Sequence, residues 1–141
     1  MFINLIFYIF IIAFSYANLG DNSYDESNPE IQEILQLMDN KNFHSALEKL
    51  IQIDKNDKNN SNVQTLIGFT YRKLGNYDNS IEYYKKAIIN DPKNINAHHY
   101  IALSYLGIGK KNLATKHLDE LIRICNPIPC KEIGDLKEKL K

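Results

Sequence analysis

The sequence lacks tryptophan and has no excess charge of either sign, because 17 Lys and Arg are balanced by 17 Asp and Glu among 141 residues. A nucleic-acid-binding surface needs a basic face, and a polybasic membrane contact needs a cluster of cations. The neutral balance therefore argues against both kinds of partner. The length and the 44% hydrophobic content fit one small domain.

The chain also lacks the motifs that carry most enzyme chemistry. It contains no Cys-x-x-Cys, no Cys-x-x-Cys-His, no His-x3-His and no glycine-rich phosphate loop. Its carboxylates are scattered, and no acid and base are paired in a recognisable pattern. The sequence therefore predicts that the protein is not an enzyme and binds no cofactor or metal.

The long apolar run of this sequence lies at its beginning. Residues 1–17 carry no charged side chain, and Ser15 and Ala17 supply small residues at the −3 and −1 positions of a cleavage site. We therefore predict a signal peptide at 1–17 and a flexible lead-in at 18–28, although no Lys or Arg precedes the apolar run. The alternative, an uncleaved anchor, is disfavoured because about 16 apolar residues span about 24 Å, less than the ~30 Å hydrocarbon core.

A regular repeat organises the rest of the chain. The stretch 64–71 has residues at i, i+3, i+4 and i+7, which share one face of a helix, and the stretch 80–87 supplies a second such face. The same spacing recurs in three units: Ala46, Ser80 and Ala114; Leu50, Tyr84 and Leu118; Ile53, Ala87 and Leu121. A constant period of this kind is typical of stacked helix pairs.

The motif Gln64-x2-Ile67-Gly68-x2-Tyr71, followed by Ser80-x3-Tyr84-x2-Ala87 and Pro92, resembles the tetratricopeptide repeat. The resemblance implies an all-α, right-handed superhelical array of helix-turn-helix repeats. It places this domain at 29–141, with repeats at about 28–60, 61–94 and 95–127 and a capping helix at 131–140. In the first repeat the apolar spacing is one residue shorter, so we expect a tighter turn at 39–42.

In the tetratricopeptide family the first helices of successive repeats line a concave groove that binds peptides or helices. The positions that match this groove are Asn62, Thr65, Phe69, Arg72, Lys73, Asn96, His99, Leu103 and Leu106. The Lys and Asn of the family's carboxylate clamp would fall at Thr65 and Phe69 and are missing, so capture of an acidic C-terminus is not expected. The alternative is that Phe69 and Leu103 only pack against a neighbouring helix or the lead-in.

Two cysteines, Cys125 and Cys130, lie between the last repeat and the capping helix. In an exported protein an even number of cysteines at this spacing indicates a disulfide. Free or metal-bound thiols remain the alternative, and they would make the protein a thiol- or metal-binding carrier. This end of the chain, with Leu136-Lys137, resembles small exported bacterial tetratricopeptide proteins that have a C-terminal cysteine pair.

Two adjacent histidines, His98 and His99, are candidate metal ligands. Neighbouring residues on a helix point about 100° apart and make a poor metal pair. We expect His98 in the core with a hydrogen-bonded ring nitrogen, and His99 on the concave side. The resemblance as a whole predicts a non-catalytic interaction module for another protein or peptide, with no stable membrane anchor after cleavage, in a bacterial periplasm.

Overall fold

The computed structural model describes residues 28–141, so the predicted signal peptide and residues 18–27 of the lead-in lie outside it. Seven helices and no strand make up this described part. The helices are α1 (Pro29–Asp39), α2 (Phe43–Asn56), α3 (Ser61–Lys73), α4 (Tyr77–Asn90), α5 (Ile95–Gly107), α6 (Lys111–Ile124) and α7 (Lys131–Lys139). The fold is all-α, as predicted, with three helix pairs followed by one further helix.

The turns that join the two helices of each pair share one backbone geometry. Lys41, Gly75 and Gly109 occupy equivalent positions of the three pairs and take positive φ angles of 59°, 77° and 73°. The next N–H in each turn bonds the carbonyl five residues back, as a Schellman cap does: Asn42 to Leu37, Asn76 to Tyr71 and Lys110 to Tyr105. The predicted tighter turn at 39–42 is therefore wrong.

The apolar spacing of the first repeat is one residue shorter because the apolar residues of α1 lie on a different helix face from those of α3. Its buried residues are Ile31, Ile34, Leu35 and Met38. The equivalent positions of the second repeat are Thr65, Gly68, Phe69 and Arg72, which include three of the predicted groove positions. Helix α1 is the outermost helix of the described part and packs on α2. It therefore has buried apolar side chains at the positions where α3 has predicted groove residues.

Asparagine begins five of the seven described helices. The N-cap residues are Asn28, Asn42, Asn60, Asn76 and Asn94. All but Asn42 accept a hydrogen bond of 2.9–3.2 Å from a backbone N–H in the first turn. Each such bond satisfies a donor that has no partner within the helix, a contribution of about 1 kcal/mol.

The buried core consists of two apolar clusters, one built on α1–α3 and one on α4–α7. Phe69 packs against both clusters and so connects them. Within the second pair, the fully buried ring of Tyr84 lies against Gly68, where an added Cβ would approach the ring to 2.7 Å. This glycine therefore allows α3 and α4 to pack closely.

A buried amide occupies the position at which the tetratricopeptide pattern has tryptophan. Gln64, 2% exposed, donates to Asp54 Oδ1 at 3.2 Å and to the Lys58 carbonyl at 2.8 Å, and accepts from Asn90 Nδ2 at 2.8 Å. Because its polar atoms are bonded, the amide is buried without the penalty of an unsatisfied group. Hydrogen bonds thus link the first two repeats at a point where the family uses an aromatic ring.

Helix α7 packs on α5 and α6 as the predicted capping helix. Ile133 and Leu136 are buried, and Leu140, just beyond the last turn, is half-buried against the second cluster. No helix among residues 28–141 is both long and apolar enough to cross a bilayer.

Candidate functional site

The centre of the concave face is an aromatic pair contributed by α3 and α5. The rings of Phe69 and Tyr100 meet edge to face with their centroids 5.3 Å apart. Arg72 lies over both rings, with its Cζ atom 5.3 Å from the centroid of Phe69 and 5.6 Å from that of Tyr100. The Nζ atom of Lys73 is also 5.3 Å from the Phe69 centroid. Two cations therefore lie against one aromatic floor.

Five of the predicted groove residues retain exposed surface around this floor. Phe69, Arg72, Leu103 and Leu106 are half-buried, and Lys73 also keeps part of its surface exposed. Phe69, Leu103 and Leu106 pack against the second apolar cluster as well, so they contribute to the core and to the surface at once. We call this set the groove surface. Asn62, also half-buried, lies at the start of α3.

Two other predicted groove residues are buried inside the array. Thr65, 1% exposed, donates to the Ser61 carbonyl at 2.8 Å and accepts from Asn94 Nδ2 at 3.2 Å. Asn96 is 3% exposed. Neither side chain presents a surface to a partner in this structure, and the contact of Thr65 with Asn94 lies at the junction between the second and third repeats.

His99, the remaining predicted groove residue, is engaged by the capping helix. Its Nε2 atom lies 2.7 Å from Oδ2 of Asp135, whose other oxygen is 3.1 Å from Nζ of Lys139. Partial burial raises the pKa of Asp135, but hydrogen bonds from His99 and Lys139 outweigh it and hold the pKa below its usual value. Asp135 of helix α7 therefore occupies Nε2 of a side chain that was predicted to face a partner in the groove.

Beneath the groove surface lies a buried phenol. The hydroxyl of Tyr84 and Nε of Arg72 have no hydrogen-bond partner within the described residues. Burial raises the pKa of Tyr84 far above its usual value, although the neighbouring guanidinium of Arg72 acts in the opposite direction. Arg72 is thus held by ring contacts and packing, and no carboxylate within residues 28–141 forms an ion pair with it.

A second polar constellation, the pair His98 and His117, lies between α5 and α6 away from the groove. Nε2 of His98 is 3.1 Å from the Pro92 carbonyl, and the two Nδ1 atoms are 3.1 Å apart. Since the carbonyl only accepts, Nε2 of His98 carries a proton and its Nδ1 accepts from His117. Burial lowers both pKa values, that of His117 to about 4 with a further contribution from the charge of His98. His98 is therefore a hydrogen-bonded core residue, as predicted.

The two cysteines are joined in a disulfide, with their Cα atoms 5.6 Å apart. No cysteine within residues 28–141 is free. The same residues contain no cluster of three or more His, Cys, Asp or Glu side chains that could hold a metal ion. Cys125 lines a surface cavity together with Ile122 and Arg123 of α6.

Four residues of the site were missed by the sequence reasoning. Tyr100 follows the two histidines and supplies half of the aromatic floor. Asn94 caps α5 and also donates to Ser61 Oγ at 2.7 Å, and its place just before an apolar helix was a usable N-cap signal. Asp135 of the capping helix bonds the groove position His99, and the charge of Lys41 acts on Lys73; no local pattern in the sequence marks either residue.

Comparisons with known proteins identify the repeat. Residues 61–94 match the family model of the tetratricopeptide repeat. Among curated proteins, no sequence matches this chain. Solved structures match the fold over most of its length. The type III secretion translocator chaperone SycD of Yersinia enterocolitica has a TM-score of 0.75 at 17% identity, covering 89% of this chain and 88% of its own.

Two further solved structures contain a bound peptide. SycD in complex with a peptide of the translocator YopD has a TM-score of 0.70 at 16% identity, covering 86% of this chain and 100% of its own. The second tetratricopeptide domain of human RPAP3 in complex with an HSP70 peptide has a TM-score of 0.71 at 17% identity, covering 79% of this chain and 91% of its own. At these identities the likeness concerns the fold. The chain thus carries a tetratricopeptide repeat at 61–94 within an all-α helical repeat array of the tetratricopeptide fold.

Proposed function

We propose that this protein is a non-catalytic interaction module that binds a peptide or helix of another protein in its concave groove. The observation that carries the proposal is the groove surface itself. Phe69, Leu103 and Leu106 keep apolar surface exposed beside two cations, on the inner sides of two adjacent helices. Apolar anchors at helical or extended spacing, with a charged group alongside, are typical of peptide-binding grooves.

The structural neighbours support this use of the fold. SycD and RPAP3 each hold a peptide from another protein. The likeness is one of fold, so it supports the class of function, and the groove residues of this chain must supply the specificity. Three features characterise this groove: its aromatic floor, the cations that no acid of residues 28–141 pairs with, and the capping helix that engages His99.

The experiment is affinity capture with the full chain and single variants. Phe69→Ala and Arg72→Ala remove the aromatic anchor and the cation above it, and should weaken partner capture by roughly 1–3 kcal/mol. Far-ultraviolet circular dichroism should remain nearly unchanged. The control variants Glu82→Ala and Lys116→Ala alter exposed residues of α4 and α6 and should leave capture intact.

The opposite result would place the binding surface elsewhere. If Glu82→Ala or Lys116→Ala abolished capture while Phe69→Ala and Arg72→Ala retained it, the convex side would be the binding surface. The assignment of the fold would be unaffected, and the proposal that the groove binds the partner would be wrong.

We also propose that the protein is exported, to a bacterial periplasm. The support is the uncharged apolar run at 1–17 with small residues before the expected cleavage point. A disulfide between Cys125 and Cys130 is compatible with an oxidising compartment. Intact-mass measurement of the exported protein tests this, because a mass that retains residues 1–17 contradicts cleavage.

A further inference from the structure

Two cations lie against the aromatic floor of the groove. Arg72 and Lys73 end α3, and both lie within 5.6 Å of a ring centroid of the floor. Partial burial, the charge of Arg72 and the charge of Lys41, in the turn between α1 and α2, together lower the pKa of Lys73. The positive charges of Arg72 and Lys73 therefore repel each other beside the floor.

No acid within the described chain balances these charges. The ion pairs among residues 28–141 involve other residues: Lys49 with Glu33, Lys86 with Glu82, His99 and Lys139 with Asp135, and Arg123 with Glu120. By contrast, every one of the cations at the floor lacks a carboxylate partner among these residues. A like-charge cluster of this kind is relieved when an anion binds.

The carboxylates of the capping helix do not balance these cations. Burial raises the pKa of Tyr100, the charge of Arg72 opposes this, and the charges of Glu132 and Asp135 add to it. Asp135 is already engaged by His99 and Lys139, and Glu132 is 7% exposed. Within residues 28–141 neither carboxylate forms an ion pair with Arg72 or Lys73.

We propose, building on the groove function above, that the partner is an acidic peptide segment whose side-chain carboxylate binds at Arg72 and Lys73. An apolar side chain of the same segment packs on Leu103 and Leu106. This site binds a side-chain carboxylate beside the aromatic floor. It does not need the Lys and Asn of the family's carboxylate clamp, whose positions are occupied here by Thr65 and Phe69.

The ring contacts of Arg72 suit it to this role. Because its Nε atom is buried, a planar carboxylate accepts its two parallel bonds from the terminal N–H groups of the guanidinium. Phe69 and Tyr100 hold the guanidinium from below, so less side-chain freedom is lost on binding. Arg72 is therefore the principal contact, and Lys73 adds a second positive charge.

The test begins with a random peptide display library selected on the full chain. The tightest binder is synthesised in three forms: as selected, with Asp and Glu replaced by Asn and Gln, and with the same positions replaced by Lys. Fluorescence polarisation then measures the dissociation constant of each form. We expect selected peptides to combine an acidic residue with an apolar one, and the neutral form to bind about tenfold more weakly.

Variants assign the carboxylate to its site. Arg72→Gln should remove most of the difference between the acidic and neutral peptides, and Arg72→Lys should restore part of it. The control Lys116→Gln, which removes an exposed cation from α6, should preserve the difference. The preference should also decrease as salt is raised, because partly exposed charges are screened. Melting temperatures of all variants separate loss of binding from loss of structure.

The outcomes distinguish this inference from the groove function on which it rests. Peptides that bind the groove, as judged by their sensitivity to Phe69→Ala, but lack acidic residues would overturn the acidic site and leave the groove function standing. Peptides that bind equally well to Phe69→Ala and Leu103→Ala would overturn both, as would a selection that yields no binder.

Discussion

At the scale of single residues, the contact between Gly68 and Tyr84 decides how closely the helices of the second repeat approach. An added Cβ would lie 2.7 Å from two atoms of the Tyr84 ring, and that ring is fully buried. The ring has little room to move, because it also packs against Tyr100 with a centroid separation of 6.1 Å. Gly134, by contrast, lies in α7 with open space around its missing side chain.

The two glycines provide a matched pair of substitutions. Gly68→Ala should lower the free energy of unfolding by about 1–3 kcal/mol, since overpacking outweighs the gain in helix propensity. Gly134→Ala should raise it by up to about 1 kcal/mol, because only the propensity changes. Chemical denaturation measures both. If Gly68→Ala stabilised the protein as Gly134→Ala is expected to do, the close packing of α3 on α4 would be incorrect.

The buried histidine pair makes the stability depend on pH. His98 and His117 have lowered pKa values in the folded protein, so they resist protonation there while the unfolded chain binds protons at about pH 6.5. The stabilisation is complete above that pH and is lost as pH falls toward the folded pKa, which is about 4 for His117. The groups around the pair are Asp91, Lys85, Glu120 and Arg123, of which Glu120 and Arg123 bind each other.

Replacing His117 tests this dependence. The drop in unfolding free energy between about pH 7.5 and about pH 5 should be smaller in His117→Gln than in the parent, by about 1–2 kcal/mol. His44→Gln, at an exposed position of α2, serves as the control and should show the parental drop. An identical drop in all three proteins would mean that the pair does not titrate as its burial implies.

At the scale of elements, α7 is held to the array by a small number of contacts. It has nine residues, of which Ile133 and Leu136 enter the core, and Asp135 binds His99. An isolated helix of this length is marginal in water. The disulfide between Cys125 and Cys130 fixes the segment that leads into it and contributes about 2 kcal/mol by the chain-entropy formula.

Reduction of the disulfide should therefore loosen α7 before the rest of the protein. Hydrogen exchange with and without reductant should show faster exchange at 131–140 and little change in α3 and α4, because units of a stacked array respond mainly to their neighbours. The double variant Cys125→Ser/Cys130→Ser should reproduce this pattern without reductant. Uniform loss of protection across 64–87 would contradict a local role for the disulfide.

At the scale of the whole molecule, polar bonds between successive repeats complement the apolar clusters. Asn90 of the second pair bonds Gln64 and the Lys58 carbonyl, and the cap residue Asn94 bonds Ser61 and Thr65. These contacts set the position of each repeat relative to the one before it. The geometry of the groove depends on that position, since its floor pairs a ring from α3 with a ring from α5.

Much of the fold follows from the sequence alone, because the positions that define a helix pair are local. Residues at i, i+3, i+4 and i+7 share a helix face wherever the helix lies, so the repeat period and the all-α array were predictable. The small residue Gly68 and the left-handed cap at Gly75 were predictable for the same reason. The error at 39–42 arose because apolar spacing reports which face is buried and does not report the length of a turn.

Only the tertiary structure shows which of the predicted groove residues are accessible to a partner. Three residues that matched groove positions have different outcomes. Thr65 is buried at a junction between repeats, Phe69 keeps exposed surface, and His99 is engaged by Asp135 of the distant capping helix. Arg72 and Lys73 are neighbours in the sequence, but only the structure shows that both lie against the Phe69 ring and that no acid of residues 28–141 pairs with them. The exposure of a groove residue depends on contacts between elements far apart in sequence, and no local pattern encodes which contacts those will be.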